Sequence, residues 1–205
     1  IHACVSGDKE KMPANCPMRN TELMERAKAE YLTEANKDFY VNSCLVESEG
    51  YCQWPRVREI VEFAKKNGYH KLGVAFCLRN EGRIACDIFR RHGFEVVSVI
   101  CKAGSMPKET VGITEEQKVR PGTYEVMCNP VAQAMLLNEQ KTELNVVIGL
   151  CVGHDSLFYQ YSDALCTTLV TKDRVLGHNP VAALYQIKTY YAKLLQEDHG
   201  DPESE

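Results

Sequence analysis

Four cysteines set the chemistry that this sequence can offer. Cys77, Cys101 and Cys151 each close a short apolar run: KLGVAFC (71–77), FEVVSVIC (94–101) and NVVIGLC (145–151). Cys128 stands immediately before Asn129-Pro130, where Asn can cap a helix and Pro can take its first position. If the three runs are neighbouring strands about 4.8 Å apart, their tips span roughly 10 Å. Thiolates at that spacing can meet around one soft ion or an iron–sulfur cluster. The helix start adds a partial positive charge that favours the thiolate of Cys128. A strand-ending cysteine is often only a small buried residue. Three consecutive strand ends joined by a helix start make a shared site the better reading. His154 follows Cys151 by three residues, with Asp155 or Ser156 as caps for the next helix. His178 precedes Asn179-Pro180, echoing Cys128-Asn129-Pro130. Both histidines suit ligation, proton transfer or the support of ligands.

The elements that must position these residues follow from periodicity. Residues 18–49 lack Gly and Pro and read as one long helix or two joined closely, with Asn20 or Thr21 as cap. Arg56 to Asn67 is amphipathic through Val57, Ile60, Val61 and Ala64, and Gly68 stands at its end. Strand and helix then alternate. The run 71–77 leads to a helix with Ile84, Ala85, Ile88 and Phe89 facing inward. The strand 94–101 leads to a long loop, 102–127, of a length that is often functional. The Asn129-Pro130 helix leads to the strand 145–151, a helix near Asp155, and a strand at TTLVT (167–171). A last helix opens at Asn179-Pro180, with Val181, Leu184, Tyr191 and Leu195 turned inward. Such alternation predicts an α/β fold: a Rossmann-like parallel sheet of about four strands in the order 2-1-3-4, flanked by helices. Ligands of such sheets bind beyond the carboxyl ends of the strands, at the switch in strand order. That is the edge where the four cysteines fall.

Ten of the 205 residues are cysteine, and position sorts them. Cys44, Cys86 and Cys166 read as packing residues. Cys4 and Cys16 form an amino-terminal pair, and two thiolates are too few to close a structural metal site. They would need His2, Cys52 or upstream ligands. The expected organisation is a cysteine-containing helical extension over 1–53, an α/β metal-binding domain over 54–196, and an acidic disordered tail over 197–205. The chain starts at Ile1 without an initiator Met, which suggests a processed or trimmed product. No visible segment reads as a signal peptide or anchor.

Several stretches resemble the domain of unknown function 1847 family, cysteine-rich proteins of mostly anaerobic prokaryotes usually labelled metal-binding. The resemblance is carried by EGY (49–51) with Arg56-Val57, GFEV (93–96), CKAGSMPK (101–108), CNP (128–130), GLCVGHDSLF (149–158) and KDRVLGHNP (172–180). It covers most of the chain. Family members begin with a denser cysteine cluster, of which Cys4 and Cys16 look like the second half. The resemblance implies metal binding in the cytoplasm and supplies no reaction.

Composition limits the alternatives. A net charge of −4 offers no basic surface for nucleic acid. No apolar run approaches the roughly 20 residues that cross a bilayer. The leading expectation is an iron–sulfur cluster, 4Fe-4S, or alternatively zinc, held by Cys77, Cys101, Cys128 and Cys151, with Cys4 and Cys16 as further metal residues. Redox or sulfur chemistry on a small-molecule substrate, or with a redox partner protein, would suit that site. A second reading is a metal-free thiol enzyme of phosphatase or arsenate reductase type, because Cys77 to Arg83 spells C-x5-R between a strand and a helix. Its nucleophile would be Cys77 and its anion clamp Arg83, although Glu81 would repel phosphate. A third is a non-catalytic small-molecule binding module, with the loop 102–127 as lid and Lys102, Lys108 and Arg120 meeting an anion.

Overall fold

The computed structural model describes residues 2–196. The chain divides into two compact units, residues 1–67 and 68–205. The acidic tail expected over 197–205 lies outside the described residues. The division places the helix 56–66 with the amino-terminal unit, whereas the sequence reading ended that unit at residue 53.

The amino-terminal unit holds α1 (His2–Ser6), α2 (Thr21–Glu30), α3 (Glu34–Gly50) and α4 (Arg56–Lys66). The Gly- and Pro-free stretch is thus two helices. Asn20 caps α2 by accepting the Leu23 amide through its side chain. α4 packs on α3, where Phe39 and Phe63 meet edge to face and Lys66 pairs with Glu49 at 2.7 Å.

The second unit is the α/β fold. Strands β1 (Lys71–Phe76), β2 (Glu95–Ile100), β3 (Leu144–Ile148) and β4 (Cys166–Val170) form one parallel sheet in the order β2-β1-β3-β4. Helix α5 (Arg79–Arg91) links β1 to β2, α6 (Pro130–Glu139) precedes β3, and α7 (His154–Tyr161) joins β3 to β4. The short α8 (Val181–Tyr185) follows β4. β1 and β3 are the central strands, so their runs are mostly apolar, as burial on both faces requires, with Asn145 the buried polar exception in β3. Alternation along β1 separates the two faces. Phe76 lies against Gly82 of α5, whereas Gly73 lies against Leu137 of α6. The α6–α7 side forms a core of Ala75, Cys101, Ala134, Leu137, Val147, Leu150 and Phe158, and Cys77 and Cys128 pack at its margin.

Three inward-facing assignments do not hold. Ile84 is 54% exposed, because the buried stripe of α5 runs through Gly82, Ala85, Cys86 and Phe89. The last helix stops after five residues, leaving Leu184 and Leu195 exposed. Cys44 is exposed rather than core, while Cys86 is buried as expected. Among the described residues, no helix is long and apolar enough to cross a membrane.

Candidate functional site

The carboxyl edge of the sheet brings the cysteines together by backbone hydrogen bonds that continue the ladder past the strands. The Cys77 amide donates to the Ile148 carbonyl at 3.1 Å, and the Cys101 amide donates to that of Phe76 at 2.8 Å. Cys77 and Cys101 therefore sit one step beyond in-register neighbours of β1 and β2. The Asn129 amide donates to the Cys101 carbonyl at 2.7 Å, which draws Cys128 to the same point. The Asn129 side chain then accepts the Ala132 amide and starts α6.

Cys151 lies three residues past β3 instead of closing it, since the strand ends at Ile148. Gly149 (φ +65°) makes the departure. A Cβ at that position would collide with the Leu78 side chain. Gly153 (φ +82°) turns the chain again into α7, taking the capping position expected of Asp155 or Ser156. His154 is therefore the first residue of that helix. The Cys151 carbonyl accepts the amides of His154 and Asp155 at 3.0 and 3.1 Å, which clamps Cys151 and His154 to one turn.

Two overlapping groups result. The Sγ atoms of Cys128 and Cys151 and a ring nitrogen of His154 all lie within 4.8 Å of one another. The second group centres on the Cys101 thiol, its electrostatics dominated by Cys128 and then Cys77. Cys128 thus belongs to both groups. The Nδ1 of His154 is buried without a hydrogen-bond partner.

Two cations complete the edge, and both come from the segment after β4. Lys172 Nζ donates to Cys77 Sγ at 2.7 Å, and Arg174 Nη2 donates to Cys151 Sγ at 3.2 Å. In the sequence both lie in the stretch KDRVLGHNP, where nothing local marks them out. Hydrogen bonding from Cys101, followed by the Lys172 contact and against the cost of burial, pulls the Cys77 thiol down to about 5. Cys128 is likewise drawn down to about 5 by Cys101, against the cost of burial, with the Lys102 ammonium helping. Cys101, buried beside the Cys128 and Cys77 thiols, is pushed far up. It has a single proton, so it supports one thiolate at a time.

His178 stands apart from this constellation. Its Nδ1 accepts the Asp173 amide at 3.1 Å, its own amide donates to the Asp173 carbonyl at 2.8 Å, and it adopts φ +66°. With Asp173 capping the amides of Val175 and Leu176, it closes the turn that carries Lys172 and Arg174. Asn179 does not repeat the side-chain cap of Asn129, so the two Asn-Pro segments are not structurally equivalent.

The C-x5-R reading meets a different local structure. Only Leu78 separates Cys77 from α5, and the Gly82 amide is already bonded to the Leu78 carbonyl within the helix. Arg83 is exposed on α5, and the cation on Cys77 is Lys172. The loop 102–127 is ordered by its own contacts. An antiparallel bridge joins Pro107 and Val126, Lys108 pairs with Glu125, and Lys118 pairs with Glu109 and Glu115. Lys102 Nζ donates to the Val126 carbonyl. Lys102 and Lys108 are therefore engaged within the loop that was expected to offer them to an anion.

In the amino-terminal unit Cys4 is exposed and Cys16 half-buried, and Cys52 is exposed at φ +55°. Among the described residues neither Cys4 nor Cys16 belongs to a cluster of three metal-ligating groups. The side chain of His2 lies outside the described residues.

Fold and site together define an α/β protein with a thiol-rich, cation-flanked cluster at the carboxyl edge of a parallel sheet. The chain belongs to the family described as protein of unknown function (DUF1847), whose model matches residues 16–169. It is also 42% identical over 177 residues to an uncharacterised protein of Methanocaldococcus jannaschii, covering 85% of this chain and 89% of the relative. No solved structure matches. The family match takes in Cys77, Cys101, Cys128, Cys151 and His154 and ends before Lys172 and Arg174.

Proposed function

We propose that the carboxyl edge of the sheet holds a soft metal ion, with Cys128, Cys151 and His154 as its ligands. The observation that carries this reading is the convergence of three ligand atoms within 4.8 Å. Zinc bonded to sulfur at about 2.3 Å and to nitrogen at about 2.0–2.1 Å needs tetrahedral ligands roughly 3.3–3.8 Å apart, a small contraction of that triangle. The orphaned Nδ1 of His154 supports the fit, because a buried ring nitrogen without a partner is costly and a metal would satisfy the ring. Thiolate and imidazole donors suit zinc or an iron–sulfur centre over hard cations. When bound, an ion with three protein ligands keeps a fourth position for an incoming ligand and acts there as a Lewis acid.

The chain's own residues do the remaining work. Arg174 donates a hydrogen bond to the Cys151 sulfur at 3.2 Å. Gly149 and Gly153 let the loop place Cys151 and His154 on one turn. A second reading, a 4Fe-4S cluster on Cys77, Cys101, Cys128 and Cys151, is favoured by the backbone bonds that bring Cys77, Cys101 and Cys128 to one edge. A cytoplasmic setting would keep such thiols reduced.

Metal analysis and absorption spectra of anaerobically prepared protein test both readings. About one equivalent of colourless metal, lost in Cys151→Ala and in His154→Ala, supports the three-ligand ion. A brown protein absorbing near about 400 nm, bleached in Cys77→Ala but not in His154→Ala, supports the cluster. Metal-free wild type removes both.

A further inference from the structure

Cys77 and Cys101 carry a relationship that metal binding by the other three residues leaves unused. They follow Phe76 and Ile100, which are register partners on adjacent parallel strands. The ladder continues to them through the Cys101 amide and the Phe76 carbonyl at 2.8 Å. Residues so paired lie about 4.8 Å apart, inside the range of about 4.4–6.8 Å that Cα atoms of a disulfide take. Their side chains leave the same face of the sheet, both packing with the core beneath α6 and α7. Their surroundings differ in the way a dithiol pair requires. Cys77 is half-exposed with a lysine ammonium 2.7 Å from its sulfur. Cys101 is 3% exposed. Cys77 is therefore the more accessible of the two to an outside reagent.

We propose that Cys77 and Cys101 form a redox-active dithiol pair that exchanges with low-molecular-weight disulfides, with Cys77 as the attacking sulfur and Cys101 as the resolving one. The proposal rests on the three-ligand reading of the metal centre, which leaves Cys77 free. In the first step the Cys77 thiolate, held by Lys172, attacks one sulfur of a disulfide R–S–S–R. A Cys77–S–S–R bond forms, the R–S–S–R bond breaks, and RS⁻ leaves. With Cys77 now a mixed disulfide and no longer a thiolate, the Cys101 thiol gives its proton to that RS⁻, and its sulfur attacks Cys77 Sγ, breaking the Cys77–S–S–R bond. The Cys77–Cys101 bond forms and a second RS⁻ departs. One disulfide is reduced by two electrons to RSH and RS⁻ while the pair is oxidised by two, and excess RSH reverses the sequence.

The test uses the full chain, prepared anaerobically with its metal content measured, and oxidised glutathione as the probe. After an acid quench and alkylation, peptide mass mapping of wild type shows a Cys77–Cys101 disulfide and release of two equivalents of glutathione per chain. Cys101→Ser, with Cys101→Ala as its companion should serine disturb the core, retains one glutathione on Cys77 and releases one equivalent. Cys77→Ser keeps its metal and lowers release by at least about tenfold, and Lys172→Met slows it near neutral pH, where the thiolate is the attacking form. Glutathione only on Cys128 or Cys151, a Cys101–Cys128 crosslink, or equal retention in wild type and Cys101→Ser overturns the proposal. If Cys77→Ser loses the metal, Cys77 is a ligand, and the pair falls while a four-cysteine centre stands. If metal-free wild type still behaves as described, the pair stands and the metal reading falls.

Discussion

Cys77 and Cys166 sit at opposite edges of one sheet and are both half-buried, yet their thiols are driven in opposite directions. Cys166 begins β4, contacts the Ala164 carbonyl at 3.4 Å, and is pushed above the ordinary thiol range by burial, against a weaker hydrogen bond with Ser162. Cys77 is buried to a similar degree, but hydrogen bonding from Cys101 and the Lys172 ammonium outweigh that cost and bring it to about 5. Exposure does not separate the two edges. What separates them is whether the neighbours are hydrogen-bond donors and cations or apolar groups and carbonyls.

The edges differ equally in their polar groups. At the amino edge Asn145 is fully buried, accepting from Thr142 Oγ1 and donating to Ser162 Oγ, each at 2.8 Å. That network is closed within the protein. At the carboxyl edge the His154 Nδ1 is left open. One edge is built to be satisfied by the chain alone, and the other has a donor atom to spare.

The largest difference to test is titration. In metal-free protein, alkylation of Cys77 by iodoacetamide should show a midpoint near pH 5, while Cys166 reacts only above pH 9, as read by mass mapping at each pH. A Cys77 midpoint near that of an ordinary thiol would erase the contrast. The same shift acts on stability with a definite sign. A thiol whose folded value lies below its unfolded one contributes most above the unfolded value near 9 and loses its contribution as pH falls through about 5. The urea midpoint of metal-free wild type should therefore climb between pH 5 and pH 8 more steeply than that of Cys77→Ser.

The next contrast is metal retention. Cys128→Ala and Cys151→Ala should each weaken metal affinity by well over about tenfold, because even partners outside the ligand set cost about 10–100-fold. Arg174→Met should fall near the low end of that range. Cys166→Ala should leave metal content unchanged, as dialysis against a chelator would show. The smallest effect belongs to the amino edge. Asn145→Ala orphans Thr142 and Ser162 and should cost about 1–3 kcal/mol in denaturant unfolding, with metal content intact in the folded protein. Loss of metal in Asn145→Ala would show that the two edges are not independent.

The sheet order was readable because the strands are short, largely apolar runs separated by helices, and right-handed crossovers leave few ways to join them. The convergence of Cys77, Cys101 and Cys128 followed from the same reading. Asn129 was legible as a cap because it precedes a proline and a long apolar run. Asn179 carries the same local signal, but α8 ends after five residues with Leu184 exposed. Short-range pattern cannot say whether a helix will find a surface to cover. Ile84 was misplaced for a related reason. Gly82 lets Phe76 approach α5 closely, and that rotates the buried stripe away from Ile84.

The local sequence determined which residues end strands and begin helices, and through them which thiols share an edge. Tertiary structure alone decided their chemistry. Lys172 reaches Cys77 across 95 positions of the chain, and Arg174 reaches Cys151 from the same turn, held by Asp173 and His178. A lysine and an arginine after a strand look like ordinary solvated charges in sequence. They become part of the site only because β4 lies beside β3 in the sheet, so the segment leaving β4 comes back over the carboxyl edge. Coulombic and hydrogen-bond effects depend on distance in space, and no spacing along the chain encodes that distance.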